Sequence, residues 1–224
     1  MPSLLITSTD TEVGKTFTTC ALAAYYQTHF PHKKLGIMKL IQCGSGDREL
    51  YVDLFDLDQS PSELNPLYFA APLAPPLAAA KAGQSIDLAL AWQSLQSLQQ
   101  RCDLVLIEGL GGLGSPVTAE LTLADIAHEW RLPILLVVPV KLGSIGQAVA
   151  NTALAAQARV DLRGIILNCA QSVTDQDIAD FAPADLIVNL TRKPVLGCLP
   201  HLTVAHSIAN LATAAASLEW ELML

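Results

Sequence analysis

The triplet Gly14-Lys15-Thr16 constrains the fold of this chain more than any other feature. It follows an apolar run, Leu4–Thr7, and leads into KTFTTCALAAYY, which has the composition of a helix. A strand that passes through a short loop into a helix is the setting of a phosphate-binding loop, because the first N–H groups of the helix and its dipole point towards bound phosphate. This arrangement predicts an α/β fold with a nucleotide site near residue 14.

The loop departs from the usual phosphate-loop pattern in two ways. The pattern G-x-x-x-x-G-K-[ST] has a glycine five positions before Gly14, where this chain has Thr9. Two acidic residues, Asp10 and Glu12, stand where anionic phosphates would approach. The alternative is a fortuitous Gly-Lys-Thr at a helix start, but the strand–loop–helix context favours a phosphate loop. Lys15 would then reach the β and γ phosphates, and the Thr16 hydroxyl would bind Mg²⁺.

Short apolar runs alternate with helical patterns along the whole chain, which is typical of βαβ units and a parallel sheet. The runs show no polar alternation, as expected for strands covered on both faces. We therefore predict one three-layer α/β domain over residues 1–224, with a mostly parallel central sheet flanked by helices. The six predicted strands are Leu4–Thr7, Leu35–Met38, Leu104–Ile107, Ile134–Val138, Gly164–Leu167 and Val195–Gly197.

Helices are predicted between these strands. The clearest begins after Asp87, a suitable N-cap, and places its apolar residues on one core face: Leu88, Trp92, Leu95 and Leu98. The final stretch, LATAAASLEWELML, is predicted to be a helix that packs back on the domain. Residues 43–80 contain five prolines, so we expect a loop-rich excursion with short helices that shapes a site.

Composition excludes several classes of protein. The chain has 224 residues, of which 51% are hydrophobic and 15% charged, so it is compact rather than disordered. A net charge of −8 argues against a nucleic-acid partner. No apolar stretch reaches the length of a membrane span and no signal peptide is evident, so a cytoplasmic location is predicted. The five scattered cysteines have no zinc-site spacing and are expected to be reduced thiols.

Acidic and basic residues follow two of the predicted strands at their carboxyl ends, and a further acid follows a Gly-Ser-Gly turn. Glu108 ends the strand of DLVLIEGLGG, where an acid binds Mg²⁺ directly or through water, or caps the following loop. Lys39 ends the second strand and is suited to neutralise a γ-phosphate, although a solvated lysine is the alternative. Asp47 is either a third Mg²⁺ ligand or the N-cap of DRELYVDLF, or both.

Two further segments leave the choice between function and structure open. Gly143 and Ser144 open a helix after the strand PILLVVPV, and their N–H groups form an anion site suited to a carboxylate, although spacing alone favours an ordinary Ser-capped helix start. Asn168 lies just past a strand end, where its amide suits an adenine edge or caps a loop.

Taken in order, these segments resemble dethiobiotin synthetase. The resemblance rests on TDTEVGKT at 9–16, Lys39 with Gly44-Ser45, EGLGG at 108–112, VKLGSI at 140–145, Asn65-Pro66, Asn168 and KPVLGCLP at 193–200. It covers most of the chain up to Leu202. It implies a P-loop NTPase-like fold and an ATP- and Mg²⁺-dependent ligase of biotin synthesis. The substrates would be 7,8-diaminopelargonic acid, CO₂ and ATP.

The resemblance also implies roles for individual residues. Lys39 and Lys15 would be catalytic, and Mg²⁺ would be held by Thr16, Asp47 and Glu108. Substrate would contact Thr11, Cys43, Gly143 and Ser144, the last two across a homodimer interface. ATP would be bound by Glu12, Val13, Gly14, Lys15, Thr16, Phe17, Asp47, Glu108, Gly109, Leu110, Gly111, Asn168, Cys169, Pro200, His201 and Leu202.

Several positions depart from the family pattern. Ser8 stands where a glycine is common, and Leu40 where proline is frequent. Cys43 replaces a serine that touches substrate, Leu110 an alanine, and Gly146-Gln147 an Asn-His pair. None removes a lysine or a proposed Mg²⁺ ligand. The acidic residues of the loop suggest a hypothesis in which Glu12 orients Lys39 or a substrate amine, while Asp10 supports the loop.

Other classes with a similar loop fit less well. Switch ATPases of the partition and cell-division-site kind act by binding partners and carry a signature lysine five residues before the loop lysine, where this chain has Asp10. A cobyric-acid-type amidotransferase would need room for a glutaminase domain. A GTPase would carry N-K-x-D after the fifth strand.

Overall fold

The computed structural model describes residues 3–202 and 207–223. Within them the strands are β1 (Ser3–Ser8), β2 (Leu35–Lys39), β3 (Ile41–Cys43), β4 (Leu67–Phe69), β5 (Leu104–Glu108), β6 (Ile134–Pro139), β7 (Leu162–Asn168) and β8 (Val195–Leu199). Six of them form one sheet in the order β2-β5-β1-β6-β7-β8, and every neighbouring pair is parallel. All six predicted strands are confirmed, each extended by one to three residues.

The helices cover both faces of this sheet. They are α1 (Lys15–His29), α2 (Asp47–Leu54), α3 (Pro61–Leu64), α4 (Pro75–Lys81), α5 (Leu88–Arg101), α6 (Leu123–Glu129), α7 (Ser144–Gln157), α8 (Asp175–Phe181), α9 (Ala184–Thr191) and α10 (Ile208–Ala215), followed by a short 3₁₀-helix (Trp220–Leu222).

Alternation along the buried strands divides the core into two layers. Leu4 and Ile6 of β1 face the layer that includes α1 and α10, whereas Leu5 faces the layer that includes α5, α6 and α7. In β5, Leu106 and Ile107 divide in the same way. Because a strand buried on both faces must be apolar at every position, the continuous apolar runs follow from the three-layer architecture. The predicted fold class is confirmed.

The position of β1 defines where a ligand can bind. Its two neighbours are β5 on one side and β6 on the other, so the chain changes direction across the sheet beside it. In parallel α/β sheets the crevice beyond the carboxyl ends of the strands at such a point is the usual ligand site. β1 ends at Ser8, where the phosphate loop begins. The last residues of β2, β5 and β7 are Lys39, Glu108 and Asn168, respectively.

The excursion over residues 43–80 contains more regular structure than its prolines suggest. Short helices α2, α3 and α4 are present, as predicted. A small second sheet was not predicted: β3 and β4 pair in parallel, with Ile41 opposite Leu67 and Cys43 opposite Phe69. Leu40 alone separates β2 from β3, so this sheet continues directly from the main sheet and brings the excursion over the crevice.

The helix predicted after Asp87 is α5, and the Asp87 carboxylate caps it by accepting hydrogen bonds from the N–H groups of Ala89 and Leu90. Leu95 and Leu98 are fully buried, whereas Leu88 and Trp92 are half-buried at the edge of the core. Trp92 packs against Trp130 with ring centroids 5.2 Å apart, so it is a packing residue, as predicted.

The C-terminal stretch packs back on the domain, but it is not one helix. Helix α10 ends at Ala215 and packs on α1, and the 3₁₀-helix follows after a turn. The ring of Trp220 stacks on Tyr25 of α1 at 4.3 Å. Leu224, the last residue of the predicted helix, lies outside the described residues. No helix in residues 3–202 and 207–223 is both long and apolar enough to cross a membrane.

Candidate active site

The loop between β1 and α1 curls tightly before the helix begins. Gly14 is the N-cap of α1 in the left-handed conformation, at φ 96°, and Glu12 is also left-handed, at φ 57°. Loops that pass between right- and left-handed conformations gather their N–H groups into a concavity that binds anions. The loop therefore has the geometry of a phosphate-binding loop despite the missing glycine at position 9.

Lys15 spans this loop rather than pointing into solvent. Its Nζ donates to Ser8 Oγ at 3.1 Å and to the carbonyl of Asp10 at 3.2 Å. Burial lowers the pKa of Lys15 from 10.5 to about 8, although the carboxylate of Glu108 opposes this shift. A bound phosphate would raise this pKa again, because its negative charge stabilises the ammonium form.

Three oxygen-bearing side chains converge beside Lys15. The Thr16 hydroxyl lies 3.0 Å from Asp47 Oδ1 and 2.9 Å from Glu108 Oε1. Glu108 is buried at 1% exposure, at the end of β5, and Asp47 is the first residue of α2. Gly46 rather than Asp47 is the N-cap of α2, so the prediction that Asp47 caps this helix is wrong. Its side chain is left free to turn into the crevice.

Lys39 joins the two carboxylates. Its Nζ lies 2.5 Å from Asp47 Oδ2 and 2.8 Å from Glu108 Oε1. Burial acts to lower the pKa of Lys39, but the charges of Glu108 and Asp47 outweigh it and hold that pKa above its ordinary value. Lys39 is therefore a buried, charged ammonium, and the alternative of a solvated surface lysine is wrong.

The donor set fits a magnesium ion. Hydroxyl and carboxylate oxygens are the ligands that Mg²⁺ prefers, and here Asp47 Oδ1 and Glu108 Oε1 both lie within hydrogen-bond distance of the Thr16 hydroxyl. The two carboxylates already accommodate the positive charge of Lys39 between them. The residues present can therefore hold a hard divalent cation next to the phosphate loop.

Two cavities open beside the loop. The larger, of about 740 Å³, has Lys15, Thr16, Lys39, Asp47 and Glu108 in its wall. Its other lining residues are Thr11, Glu12, Gly14, Ile41, Cys43, Pro72, Leu73, Ala74, Pro75, Leu110, Gly111, Ser115 and Pro116. The charged groups line it together with the apolar residues of the excursion, so the cavity can hold both a phosphate chain and a partly apolar molecule.

The smaller cavity, of about 270 Å³, lies on the other side of the loop. It is lined by Glu12, Gly14, Phe17, Asn168, Cys169, Ala170, Pro200, His201 and Leu202. Asn168 Nδ2 donates to the carbonyl of Val13 at 2.9 Å, whereas its buried Oδ1 has no hydrogen-bond partner among the described residues. A buried acceptor without a donor is costly, so this amide is suited to a ligand that donates a hydrogen bond.

Comparison with known proteins decides the family. A family model described as an AAA domain matches residues 2–208. The ATP-dependent dethiobiotin synthetase BioD of Gloeothece citriformis is 54% identical over 224 residues, which cover 100% of this chain and 99% of that protein. The chain belongs to the dethiobiotin synthetase family. The protein of the same name from Gloeobacter violaceus is 46% identical, over 97% of this chain and 94% of its own.

Solved structures show the same fold at much lower identity. The MinC:MinD cell division complex of Aquifex aeolicus matches with a TM-score of 0.61 at 15% identity, over 95% of this chain and 86% of that one. A ParA family ATPase of Chlorobium tepidum matches with a TM-score of 0.59 at 12% identity, over 99% and 96%. These likenesses show the fold alone. The predicted class of ATP-dependent ligase is confirmed by the dethiobiotin synthetase relatives.

Some predicted site residues of this family member line neither cavity. Val13 is a buried residue of the loop, and the carbonyl of Gly109 lies 3.4 Å from Lys39 Nζ. Gly143 is the N-cap of α7, and Ser144 is its first residue. The Ser144 hydroxyl donates back to the carbonyls of Pro139 and Lys141 instead of capping α7, so the alternative of a Ser-capped helix start is wrong.

The structure adds site residues that the sequence did not indicate. Ser8 anchors Lys15, and its hydroxyl also lies 2.8 Å from the carbonyl of Gly111. Ile41, Leu73 and Ser115 line the larger cavity. The buried Asn65 donates to the carbonyl of Lys39 at 3.0 Å and so fixes the end of β2. The Asn65-Pro66 element drew attention to Asn65 but not to this contact, and the place of Leu73 depends on the path of the excursion.

The two acidic residues of the loop behave differently. Asp10 Oδ1 accepts a hydrogen bond from the N–H of Thr11 at 2.7 Å, in agreement with its predicted supporting role. Glu12 is exposed and lines both cavities, while Lys39 is held by Asp47 and Glu108. This arrangement does not support the hypothesis that Glu12 orients Lys39. Contact of Glu12 with a substrate amine stays a prediction.

Proposed function

We propose that this enzyme carboxylates 7,8-diaminopelargonic acid with CO₂ and closes the product to dethiobiotin, at the expense of ATP. The observation that carries this proposal is the larger cavity, because Lys39 lies in it between the phosphate loop and the apolar excursion. A reaction that passes a phosphoryl group to a second substrate needs a fixed cation at such a boundary.

The proposed reaction has three steps. An uncharged amine of the diamine attacks the carbon of CO₂ and loses a proton, which gives a carbamate. A carbamate oxygen then attacks the γ-phosphorus as the bond to ADP breaks, which gives a mixed carbamic-phosphoric anhydride. The second amine attacks the carbonyl carbon, expels phosphate and releases a proton as the cyclic urea closes.

The residues of the chain have distinct roles in this proposal. The N–H groups from Glu12 to Phe17 would wrap the triphosphate, and Lys15 and Lys39 would stabilise charge on the phosphoryl group and the carbamate. Mg²⁺, held by Thr16, Asp47 and Glu108, would supply charge neutralisation on the phosphate oxygens. Thr11 and Cys43 would contact the diamine. The adenine would enter the smaller cavity, against Asn168, Cys169, Pro200, His201 and Leu202.

We also propose a homodimer in which the start of α7 binds the substrate carboxylate of the partner's site. Gly143 and Ser144 line neither cavity of their own chain, and the adjacent Leu142 is 83% exposed. Both observations support a role outside the chain's own site. Gln147 Oε1 accepts from Thr9 Oγ1 at 3.2 Å, which links α7 to the phosphate loop.

A cytoplasmic location stays a prediction.

The proposal is tested by measuring ADP release with Mg-ATP and bicarbonate, with and without the diamine. We expect turnover only when the diamine is present. ADP release that ignores the diamine would contradict the proposed reaction and favour a switch ATPase, whose nucleotide cycle responds to a protein partner.

Lys39→Gln tests the role of the buried ammonium. We expect the variant to lose at least about a thousandfold in kcat, because a positioned charge acts on the transition state, while its affinity for ATP changes by less than about tenfold. Lys34→Gln, at an exposed lysine, is the matched control and should keep normal turnover. Near-normal turnover of Lys39→Gln would refute the assigned role.

A further inference from the structure

Tyr51 is a fully buried tyrosine whose hydroxyl contacts the proposed metal site from the core side. It is 0% exposed and lies in the same core layer as Ile37 and Leu106. Its hydroxyl donates a hydrogen bond to Glu108 Oε2. Tyr51 lies one helical turn after Asp47 in α2, so both side chains leave α2 on the face that meets Glu108.

The two oxygens of Glu108 therefore have separate partners. Oε1 faces the crevice, where it lies 2.9 Å from Thr16 Oγ1 and 2.8 Å from Lys39 Nζ. Oε2 faces the protein interior and accepts from Tyr51. A carboxylate held in this way cannot rotate about its last bond without breaking a buried hydrogen bond, which is unfavourable in a site of low dielectric.

We propose that Tyr51 is a positioning residue for the divalent cation: its hydroxyl holds Glu108 Oε2 inward so that Oε1 alone is presented to the metal beside Thr16 and Asp47. The inference rests on the proposed metal role of Glu108 and adds a residue that touches neither metal, nucleotide nor substrate.

The hydroxyl also ties two metal ligands together. Asp47 and Tyr51 belong to the same eight-residue helix, so the contact with Glu108 fixes α2 against the end of β5. Groups of this kind behind a metal ligand orient it, and their loss lowers metal affinity without removing a ligand.

The test is the affinity for Mn²⁺, used as a paramagnetic substitute for Mg²⁺, in the presence of a non-hydrolysable ATP analogue. Tyr51→Phe keeps the ring and its packing and removes only the hydroxyl. We expect its Mn²⁺ dissociation constant to rise about tenfold, with an unchanged affinity for the analogue when no metal is added. Tyr26→Phe, which removes a hydroxyl from another largely buried tyrosine in the same core layer, should not change the Mn²⁺ affinity.

Glu108→Gln separates failure of this inference from failure of the proposed metal site. If Glu108→Gln weakens Mn²⁺ binding and Tyr51→Phe leaves it within about twofold of the unmodified protein, the role of Tyr51 is refuted while the metal site stands. If neither variant changes Mn²⁺ binding, the proposed metal site itself is wrong, and the inference falls with it.

A second measurement does not depend on the folding of Tyr51→Phe. Replacing Tyr25, Tyr26 and Tyr68 by Phe leaves Tyr51 as the single tyrosine, which can carry a fluorine label ortho to the hydroxyl. We expect its ¹⁹F resonance to shift when Mg²⁺ is added with the ATP analogue, and this shift to be lost in Glu108→Gln. A resonance that does not respond to Mg²⁺ would refute the coupling.

Discussion

The hydroxyl of Ser8 fixes the start of the phosphate loop by hydrogen bonds. Ser8 Oγ accepts from Lys15 Nζ and lies 2.6 Å from the carbonyl of Asp10. These contacts hold the start of the loop next to Thr9, the position at which the standard motif has its first glycine. A departure from the motif can thus preserve its geometry when a side chain replaces backbone freedom with hydrogen bonds.

Gly14 is the residue of the loop that tolerates substitution least. It has φ 96°, and a Cβ built on it would lie 2.1 Å from Asn168 Nδ2. We expect Gly14→Ala to lower ATP affinity by at least about tenfold, because strain and the clash would displace the loop and the Asn168 amide together. Calorimetric titration with ATP measures the effect.

Gly146→Ala is the matched control for this substitution. A Cβ at Gly146 meets nothing within 4 Å, and the residue lies inside helix α7. ATP affinity should stay normal, and stability should rise by about 0.5–1 kcal/mol, since alanine favours helix. Equal losses of affinity in both variants would contradict the geometric argument.

At the residue scale, sequence predicted the charged groups well and their neighbours poorly. Lys39 and Glu108 were predicted because each ends a recognisable strand, and parallel strand ends meet at one edge of a sheet. Tyr51 and Leu73 were missed because their positions depend on how a proline-rich segment returns to the sheet. No local pattern encodes such a path. The predicted contacts of Thr11 and Cys43 with the substrate stay predictions.

At the scale of elements, the excursion is held to the domain by a few specific contacts. Glu63 of α3 is the main example: its carboxylate accepts from the N–H of Ser60 at 2.8 Å, from Ser97 Oγ at 2.7 Å and from Arg101 Nη2 at 2.6 Å. Ser97 and Arg101 belong to α5, so one carboxylate both caps α3 and joins it to α5.

Stability should depend on pH through this carboxylate. Burial acts to raise the pKa of Glu63, but its hydrogen bonds outweigh burial and lower that pKa from 4.5 to about 2. Because Glu63 has the lower pKa in the folded state, its contribution to the free energy of unfolding is fully present above pH 4.5 and is lost as pH falls towards 2.

We expect Glu63→Gln to lose about 1–2 kcal/mol in the free energy of unfolding at neutral pH, and less at about pH 3. Urea unfolding at the two pH values measures the difference. Glu120→Gln, at an exposed carboxylate, should change stability at neither pH. A loss in Glu63→Gln that is independent of pH would contradict the assignment of the low pKa to Glu63.

Sequence patterns identified long elements and missed short ones for a physical reason. β1, β2, β5 and β6 are buried at every position, so their apolar runs stand out from the helices between them. β3 and β4 have three residues each, too few for any periodicity, and they exist because they pair with each other. The C-terminal helix was predicted too long because tertiary packing of Trp220, not helix propensity, determines the last residues.

At the scale of the whole molecule, the proposed dimer can be tested by complementation. Lys39→Gln disables the phosphoryl site, and Gly143→Asp places a negative charge where the partner's substrate carboxylate would bind. In a mixed dimer, one site combines a normal Lys39 from one chain with a normal Gly143 from the other. Equal mixing should restore about a quarter of normal activity, because half the dimers are mixed and each has one intact site.

The control for complementation is a mixture of Lys39→Gln with Lys15→Gln. Both substitutions lie in the same chain's contribution to a site, so no exchange of chains restores activity. Sedimentation velocity establishes whether the protein and each variant are dimers. Absence of recovery in the first mixture, with exchange of chains demonstrated, would refute the cross-subunit site.

The central position of β1 also governs the order in which this protein can assemble. Ser3 pairs with Val105 of β5 and Leu5 with Ile134 of β6, so both edges of β1 pair with strands about a hundred residues further along the chain. Contacts so distant in sequence slow folding, and an apolar strand with unpaired edges associates readily with other chains. During synthesis the nucleotide loop therefore emerges before β5 and β6 and acquires its shape only after both have joined the sheet. ATP then adds its binding free energy to the stability of the folded protein.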